Sequence, residues 1–269
     1  MILATGLSGT IGKHMAQNVL PFRQDITKNF EVSNLNLLEN VQAMIHMAGK
    51  VGIVACEKSP QESYDLNYLG TLRLGKAVLE ESEGRFIFIS SSHVYASQPW
   101  SLTEQSLLNP QSTYAKHKLM AEDALRSLFE HQPHRLTILR VFSVLDWNTA
   151  EGSLGATITR LLHKRDVVQI QNSEDIRDFL TPETIAHAIF QVAKNNRIFG
   201  ILNVSSSRAI SIKEACIKMA SLANLPLKYL DFRPQQSHTP RLVGDNSLIR
   251  SLLPNVNLDW IVGKPNTFL

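Results

Sequence analysis

The sequence predicts an α/β fold in which a doubly wound parallel sheet is followed by a small C-terminal lobe. Short apolar runs alternate with helical patterns along the first half of the chain. The run Arg85–Ser90 is almost wholly apolar, as expected of a strand that helices cover on both faces. A glycine-rich turn separates the first predicted strand from the first predicted helix.

The elements follow from the periodicity of apolar residues and from the residues that end each run. The first strand is predicted over Ile2–Thr5 and the first helix from about Ile11 to Leu20. Further strands are predicted over Gln42–Met47, Arg85–Ser90 and Leu136–Val141, and near Val167 and Leu202. Further helices are predicted over Pro60–Glu81, Ser112–Glu130, Leu154–His163, Pro182–Lys194 and Ser211–Ala223.

Composition excludes several classes of protein. Of 269 residues, 43% are hydrophobic and 19% are charged, so the chain can bury a core and is not disordered. The net charge of +3 is spread along the chain, whereas nucleic-acid binding needs a basic patch. No apolar run is long enough to cross a membrane. The N-terminus enters a strand without a basic region or cleavage site, so we expect a cytoplasmic location.

Cysteine and histidine spacing predicts no metal site. Cys56 and Cys216 are far apart and match no ligand pattern. Pro133 lies between His131 and His134, and no carboxylate or cysteine partner follows them.

The turn Thr5–Gly12 has the spacing T-G-x-x-G-x-x-G. Such glycines let the backbone turn tightly, approach a pyrophosphate and pack a helix against a strand. The turn therefore predicts a Rossmann-type NAD(P)-binding domain over residues 1–145, with a mainly substrate-binding lobe over residues 146–269 and chain crossings between them. The residues expected to cradle the cofactor are Gly6, Ser8, Gly9, Thr10, Ile11 and Gly12.

The second strand of a dinucleotide fold is abbreviated here, or fused with the third. Asp25 is a candidate for the acid that binds the ribose hydroxyls, or for a residue beside the adenine, and Arg23 is a candidate for a group that faces a 2′-phosphate. Both are equally compatible with ordinary solvated loop positions. The choice between NAD(H) and NADP(H) stays open.

Two short patterns suggest catalytic side chains. Tyr114 and Lys118 form a Y-x-x-x-K, and positions i and i+4 share one helix face. A nearby lysine charge is expected to lower the pKa of a tyrosine and to suit it to proton transfer. Ser91 and Ser92 directly follow the buried strand, at the edge of the sheet where a hydroxyl can polarise a substrate oxygen.

Together with several ordered motifs, these patterns resemble the extended short-chain dehydrogenase/reductases of the NAD-dependent epimerase/dehydratase family. The resemblance covers nearly the whole chain. The matching stretches are His46–Gly49, Tyr64–Asn67, Gly70–Thr71, Ser90–Ala96, Thr103–Glu104, Asn109–Tyr114, Leu139–Arg140, Arg177–Leu180 and Asp259–Trp260.

The resemblance implies a role for each matching residue. Tyr114 would be the general acid/base, and Lys118 would tune it and hold the nicotinamide ribose. Ser91 would polarise the substrate oxygen, with Ser92 as the fallback. Asn67, Ala48 and Gly49 would support the cofactor site, and Arg177 and Arg233 would face the diphosphate or nucleotide of the substrate. The family also implies a homodimer built on the two long helices.

Three departures from the family pattern bear on the substrate. Val141-Phe142-Ser143 stands where many relatives have an asparagine that touches the sugar diphosphate, and Gln235-Gln236 follows Arg233-Pro234 where relatives often have Gly-Asp. Ser92-His93 replaces the Asp-Glu pair of dehydratases, which disfavours dehydration. His93 is a candidate proton-transfer group, or a hydrogen-bonding or packing residue.

Three functions remain open from the sequence. The first is an NAD(P)-dependent epimerase acting on a sugar that is carried by a nucleoside diphosphate. The second is an NAD(P)H-dependent 4-keto-sugar reductase. The third is a non-catalytic dinucleotide-binding sensor or scaffold, which the presence of Tyr114, Lys118 and Ser91 together disfavours.

Overall fold

The computed structural model describes residues 1–28, 38–147, 154–156, 158–159, 167–234 and 240–259. The strands, in chain order, are β1 (Ile2–Thr5), β2 (Leu20–Pro21), β3 (Ala43–His46), β4 (Arg85–Ser91), β5 (Leu136–Val141), β6 (Ser143–Val144), β7 (Val168–Gln171), β8 (Ile176–Arg177), β9 (Phe179–Leu180), β10 (Gly200–Val204), β11 (Ile210–Ser211), β12 (Leu230–Arg233) and β13 (Arg241–Leu242).

The helices are α1 (Ile53–Lys58), α2 (Pro60–Tyr64), α3 (Thr71–Glu81), α4 (Thr113–Leu128), α5 (Pro182–Lys194), α6 (Ile212–Leu222) and α7 (Ser247–Leu252). A π-helical segment, Asp65–Gly70, joins α2 to α3. The predicted helix Pro60–Glu81 therefore forms as one continuous helical segment with a π-bulge in its middle, which is called the α2–α3 rod below. Helix α1 was not predicted. Residues 154–156 and 158–159 are helical, and the rest of the predicted helix Leu154–His163 lies outside the described residues, as does Trp260.

Six parallel strands form the central sheet, in the order β10-β5-β4-β3-β1-β2. Alternate residues of each strand enter two different apolar clusters. Ile87 and Ile89 pack on the side of α5, whereas Phe86 and Phe88 pack on the side of α3 and α4. Helices therefore cover both faces, which explains why the strands read as continuous apolar runs.

The first helix is much shorter than predicted. Only Gly12–His14 form a single helical turn, and turns follow as far as Asn18. The prediction of a helix to Leu20 is wrong because Leu20 and Pro21 are β2 and pair with Leu3 and Ala4 of β1. The chain must return to the sheet before a helix can extend. The abbreviated second strand was predicted correctly, and proline is tolerated there because β2 is an edge strand.

The lobe has its own apolar core, in which Trp147 and Phe179 pack against Cys216 and Met219 of α6. Strand β10 and helix α5, which follow the first lobe strands in sequence, belong to the central sheet and its helical layer. The division near residue 145 stays a prediction. No helix among the described residues is long and apolar enough to span a membrane.

Candidate active site

The turn after β1 approaches the turn after β3 so closely that only glycine fits. Gly6 has φ of +74°, and a Cβ on it would lie 2.7 Å from the backbone nitrogen of Ala48. A Cβ on Gly12 would collide with the carbonyl oxygen of Gly6. Ser8 and Gly9 are exposed at this turn, whereas Thr10 and Ile11 are half-buried. These residues lie at the carboxyl edge of the sheet, and the surface along the turns after β1 and β3 is called the groove below.

Asn67 holds the loop that follows β3. Its Oδ1 accepts a hydrogen bond from the Lys50 backbone N–H at 2.9 Å, and its Nδ2 donates to the Lys50 carbonyl at 2.9 Å. A Cβ on Gly49 would collide with Oδ1 of Asn67. Asn67 lies in the π-helical segment, a kind of irregularity that is common at functional sites. The structure therefore brings Ala48, Gly49 and Asn67 to the same groove.

Tyr114 lies in the first turn of α4, which the side chains of Ser112 and Glu57 cap. The Ser112 hydroxyl accepts from the Ala115 N–H, and the Glu57 carboxylate accepts from both the N–H and the hydroxyl of Thr113 at 2.8 Å. A hydrogen bond with Ser91 joins Tyr114 to the end of β4 and lowers the pKa of the phenol. Burial is the larger effect, and the pKa of Tyr114 is raised to about 12. Tyr114 is thus a proton donor at neutral pH in this structure.

Lys118 is buried one turn further along α4. Its Nζ lies 4.0 Å from the centre of the Phe88 ring. Burial lowers the pKa of Lys118 to about 7, although the negative charge of Glu122 acts to raise it. The expected lowering of the tyrosine pKa by Lys118 is not what this structure shows, because burial of the phenol raises that pKa and is its largest cause.

His93 lies beside Tyr114, and Arg177 is close enough for its charge to act on His93. The His93 ring meets the Tyr114 ring edge-on at a centroid separation of 6.4 Å. Burial, with a smaller effect from the charge of Arg177, lowers the pKa of His93 to about 4, so the imidazole is neutral at pH 7. Arg177 donates to Asp175 at 2.8 Å and to the Pro240 carbonyl at 3.0 Å. Ser92 is buried beside His93.

Three predicted site residues lie in exposed positions. Arg233, on β12, pairs with Asp231 at 2.6 Å. Arg23 and Asp25 follow β2, and the Asp25 carboxylate accepts from the N–H and hydroxyl of Thr27. Those bonds, chiefly that from the Thr27 hydroxyl, lower the pKa of Asp25. Asp25 therefore forms a turn of its own in this structure.

A cavity of about 660 Å³ lies away from these side chains. Ile2, Gln42 and Arg85 line it at the amino edge of the sheet, together with Phe190 and Lys194 of α5. The catalytic candidates lie at the opposite edge.

Two buried polar networks beneath the site were not predicted. Glu122 pairs with Arg140 through three hydrogen bonds of 2.6 to 3.1 Å and accepts from Ser90. Its position in sequence was a usable signal, because residues 114, 118 and 122 are spaced by four and share a helix face. In the second network His46, in an otherwise apolar strand, lies between Thr5 and Thr71.

Comparisons with known proteins agree with this geometry. The NAD-dependent epimerase/dehydratase family matches residues 20–205. Over 248 residues the chain is 24% identical to a GDP-6-deoxy-D-mannose reductase of Pseudomonas aeruginosa, covering 84% of this chain and 81% of that protein. A UDP-glucose 4-epimerase of Lactobacillus helveticus is 24% identical over 256 residues, covering 86% of this chain and 77% of that protein.

The solved structure of RMD from Pseudomonas aeruginosa complexed with NADPH superimposes with a TM-score of 0.78 at 21% identity, covering 93% of this chain and 91% of that one. The predicted Rossmann-type fold is thereby confirmed. With the family matched over more than half of its length, the chain belongs to the NAD-dependent epimerase/dehydratase family.

Proposed function

We propose that this chain catalyses hydride transfer between NAD(P) and an oxygen-bearing ring carbon of a nucleoside-diphosphate sugar, with epimerisation at that carbon as the first candidate reaction. The observation that carries the proposal is the meeting of Tyr114, Ser91 and Lys118 at the carboxyl edge of the sheet. Function concentrates at this edge in parallel α/β sheets.

The groove fits a dinucleotide. A Cβ on Gly6 would collide with the backbone of the turn after β3, and a Cβ on Gly12 would collide with Gly6 and Leu7 within the turn after β1. The backbone of residues 6–12 would hold the pyrophosphate, Asn67 and Ala48-Gly49 would support the nicotinamide half, and Lys118 would hold the ribose. When bound, the nicotinamide supplies the hydride acceptor or donor.

The side chains near Tyr114 have different roles in proton transfer and hydrogen bonding. Tyr114, protonated at neutral pH, donates its proton to the carbonyl oxygen as that carbon is reduced, and takes a proton back when a hydroxyl is oxidised. Ser91 polarises the same oxygen by hydrogen bonding, and Ser92 is the alternative hydroxyl. His93 is neutral, which suits a hydrogen bond to the sugar better than proton transfer.

The substrate class rests on the relatives and on Arg177. The reductase and the epimerase named above act on GDP- and UDP-sugars according to their names. Arg177 lies beside His93 with its guanidinium half-buried, which suits it to face a diphosphate. Arg233 is proposed to face the nucleotide. Ser143, where relatives often have asparagine, leaves the diphosphate with one donor fewer.

A 4-keto-sugar reductase is the second candidate. It is favoured by the two-residue strand β2 and by the exposed loop that carries Arg23 and Asp25. An enzyme that exchanges its cofactor in every turnover benefits from a cofactor groove that is open at its adenosine end. Arg23 would face a 2′-phosphate in this reading, and NADP(H) is the cofactor that carries one.

Mass spectrometry of small molecules released from the gently denatured protein distinguishes the two. Stoichiometric NAD⁺ or NADH supports the epimerase, because that reaction regenerates its own cofactor. An empty protein that binds added NADPH supports the reductase. Failure to bind NADH and NADPH alike would overturn the proposed function.

Tyr114→Phe tests the chemistry itself. We expect turnover to fall by roughly 100-fold or more, since general acid–base catalysis contributes at least that factor, while dinucleotide affinity stays within about threefold. Tyr68→Phe, on the neighbouring helical rod, is the matched control and should keep full turnover. Unchanged turnover in Tyr114→Phe would refute the assigned role.

We further propose a cytoplasmic homodimer that forms through α4 and the α2–α3 rod. Sedimentation of the purified chain measures the assembly. A monomer at micromolar concentration would contradict it.

A further inference from the structure

A fully buried histidine that the proposed chemistry does not use lies beneath the cofactor groove. His46 ends β3, and its side chain is 0% exposed. Its Nδ1 lies 2.7 Å from the Thr5 hydroxyl oxygen and its Nε2 lies 3.0 Å from the Thr71 hydroxyl oxygen. The ring thus links the end of β1 to the first turn of α3.

The donors and acceptors available fix the direction of each hydrogen bond in the series that passes through His46. The Thr5 oxygen accepts from the backbone N–H groups of Met47 and Ala48, at 3.2 and 3.1 Å. A hydroxyl has two acceptor positions, so the Thr5 proton must go to Nδ1 of His46. The imidazole is then neutral, with its proton on Nε2.

The hydrogen bonds on the Thr71 side of the imidazole require the same tautomer. The Thr71 hydroxyl donates to the Asn67 carbonyl at 2.9 Å, so it can only accept from His46. The Asn67 carbonyl belongs to the residue whose side chain clamps Lys50. Six groups, from the Met47 and Ala48 N–H groups to the Asn67 carbonyl, are therefore connected by hydrogen bonds that all run in one direction.

We infer that His46 is a positioning residue that sets the width of the dinucleotide groove. It does so by orienting the Thr5 hydroxyl to hold the Met47-Ala48 backbone against Gly6. The contact between these two turns leaves no room for a Cβ on Gly6, so a small displacement of residues 47–48 changes the groove directly. This inference rests on the proposed function, because the groove matters only if a dinucleotide binds there.

The test compares Thr5→Val with Thr137→Val. Thr137 is also fully buried in the central sheet, and its hydroxyl donates to the Ile198 carbonyl at 3.0 Å, but it lies near the amino end of β5. Each variant loses one buried hydroxyl. We expect Thr5→Val to bind NADH and NADPH about tenfold more weakly than the wild type, and Thr137→Val to bind them as well as the wild type does. Thr5→Val should also lose more stability in urea, because its hydroxyl has three hydrogen-bonding partners and that of Thr137 has one. Thr5→Ser keeps the hydroxyl and should bind like the wild type.

A second pair of variants decides the matter if Thr5→Val does not fold. The amide of an asparagine at position 46 falls near Nδ1, whereas that of a glutamine falls near Nε2. His46→Asn should therefore keep the contact with Thr5 and the affinity for NADH, and His46→Gln should lose about tenfold in affinity. A merely structural histidine would make the two variants alike in affinity.

The outcomes separate the two proposals. Wild-type protein that binds neither dinucleotide overturns the proposed function and this role with it. Wild-type binding, with equal affinity in Thr5→Val, Thr137→Val and both His46 variants, overturns only the role of His46.

Discussion

Burial decides the ionisation of the side chains around Tyr114 more than their neighbours' charges do. The pKa of Tyr114 rises to about 12, and those of Lys118 and His93 fall to about 7 and about 4, with desolvation as the largest cause each time. All three shifts favour the neutral form. The ligand-free site therefore holds a protonated phenol, a partly charged amine and a neutral imidazole at pH 7.

His93→Gln is expected to keep turnover within about tenfold of the wild type. A neutral imidazole acts as a hydrogen-bonding group, which a carboxamide can replace, whereas loss of a general acid costs roughly 100-fold or more. The measurement is kcat against pH between 5.5 and 8. Disappearance of an ionisation from that profile in the variant would contradict the role and restore His93 as a proton-transfer group.

At this scale the sequence allowed Tyr114, Lys118 and Ser91 to be predicted, because each belongs to a pattern of fixed local spacing. In the structure Tyr114 and Ser91 share a hydrogen bond and Lys118 lies one turn further along α4, while their catalytic roles stay predictions. The hydrogen-bonded series through His46 could not be predicted from the sequence. Its members lie 25 and 41 residues from His46 in sequence, and no local pattern encodes such a contact.

Two helices end on buried arginines from other elements. Arg135 donates to the carbonyls of Val78, Ser82 and Gly84 at the end of α3, at 2.6 to 3.0 Å. Arg85 likewise donates to carbonyls of residues 192, 193 and 198 at the end of α5. Helix ends carry carbonyls without partners in the helix, and a guanidinium satisfies several at once.

Arg135→Met should lower the free energy of unfolding by about 3 kcal/mol or more, since buried carbonyls left without donors each cost roughly 1–3 kcal/mol. Urea denaturation measures the change. Arg126→Met, which removes an exposed arginine paired with Asp123 on α4, is the control and should change stability by less than about 1 kcal/mol. Dinucleotide affinity should be the same in both, because neither residue lies near the groove. Equal stabilities of the two variants would refute the capping role.

Elements with strong periodicity were predicted closely, and those set by tertiary pairing were not. Helix α5 begins at Pro182 and ends at Lys194, as its pattern predicts. The predicted length of the first helix is wrong because β2 pairs with β1 immediately afterwards, and a local pattern does not reveal such a pairing. Helix α1 is a six-residue piece whose Val54 is exposed, so its pattern carried no helical signal.

Acid should weaken the whole fold through its buried histidines. Burial lowers the pKa of His46 to about 3, whereas the unfolded chain binds that proton near 6.5. Stability from His46 is therefore complete above pH 6.5 and is lost as the pH falls from there toward 3. Asp178 acts in the opposite direction, because burial raises its pKa to about 6, so its contribution is lost as the pH rises through 6.

The contribution of His46 can be isolated by comparing the wild type with His46→Gln in urea at pH 7 and pH 5. Between these values the wild type should lose about 2 kcal/mol more of its free energy of unfolding than the variant, from 1.5 pH units at about 1.4 kcal/mol each. Equal losses in the two proteins would show that His46 is protonated in the folded state.

The order of strands in the central sheet also governs how the chain assembles during synthesis. β10 pairs with β5, and Gly200 faces Thr137 across roughly 60 intervening residues of α5 and the lobe. A nascent chain that has emerged as far as β5 presents that strand as an unpaired, apolar edge until β10 arrives. Ribosome-bound chains ending between residues 150 and 195 should therefore be the ones that need chaperone protection, and release beyond β10 should end that need.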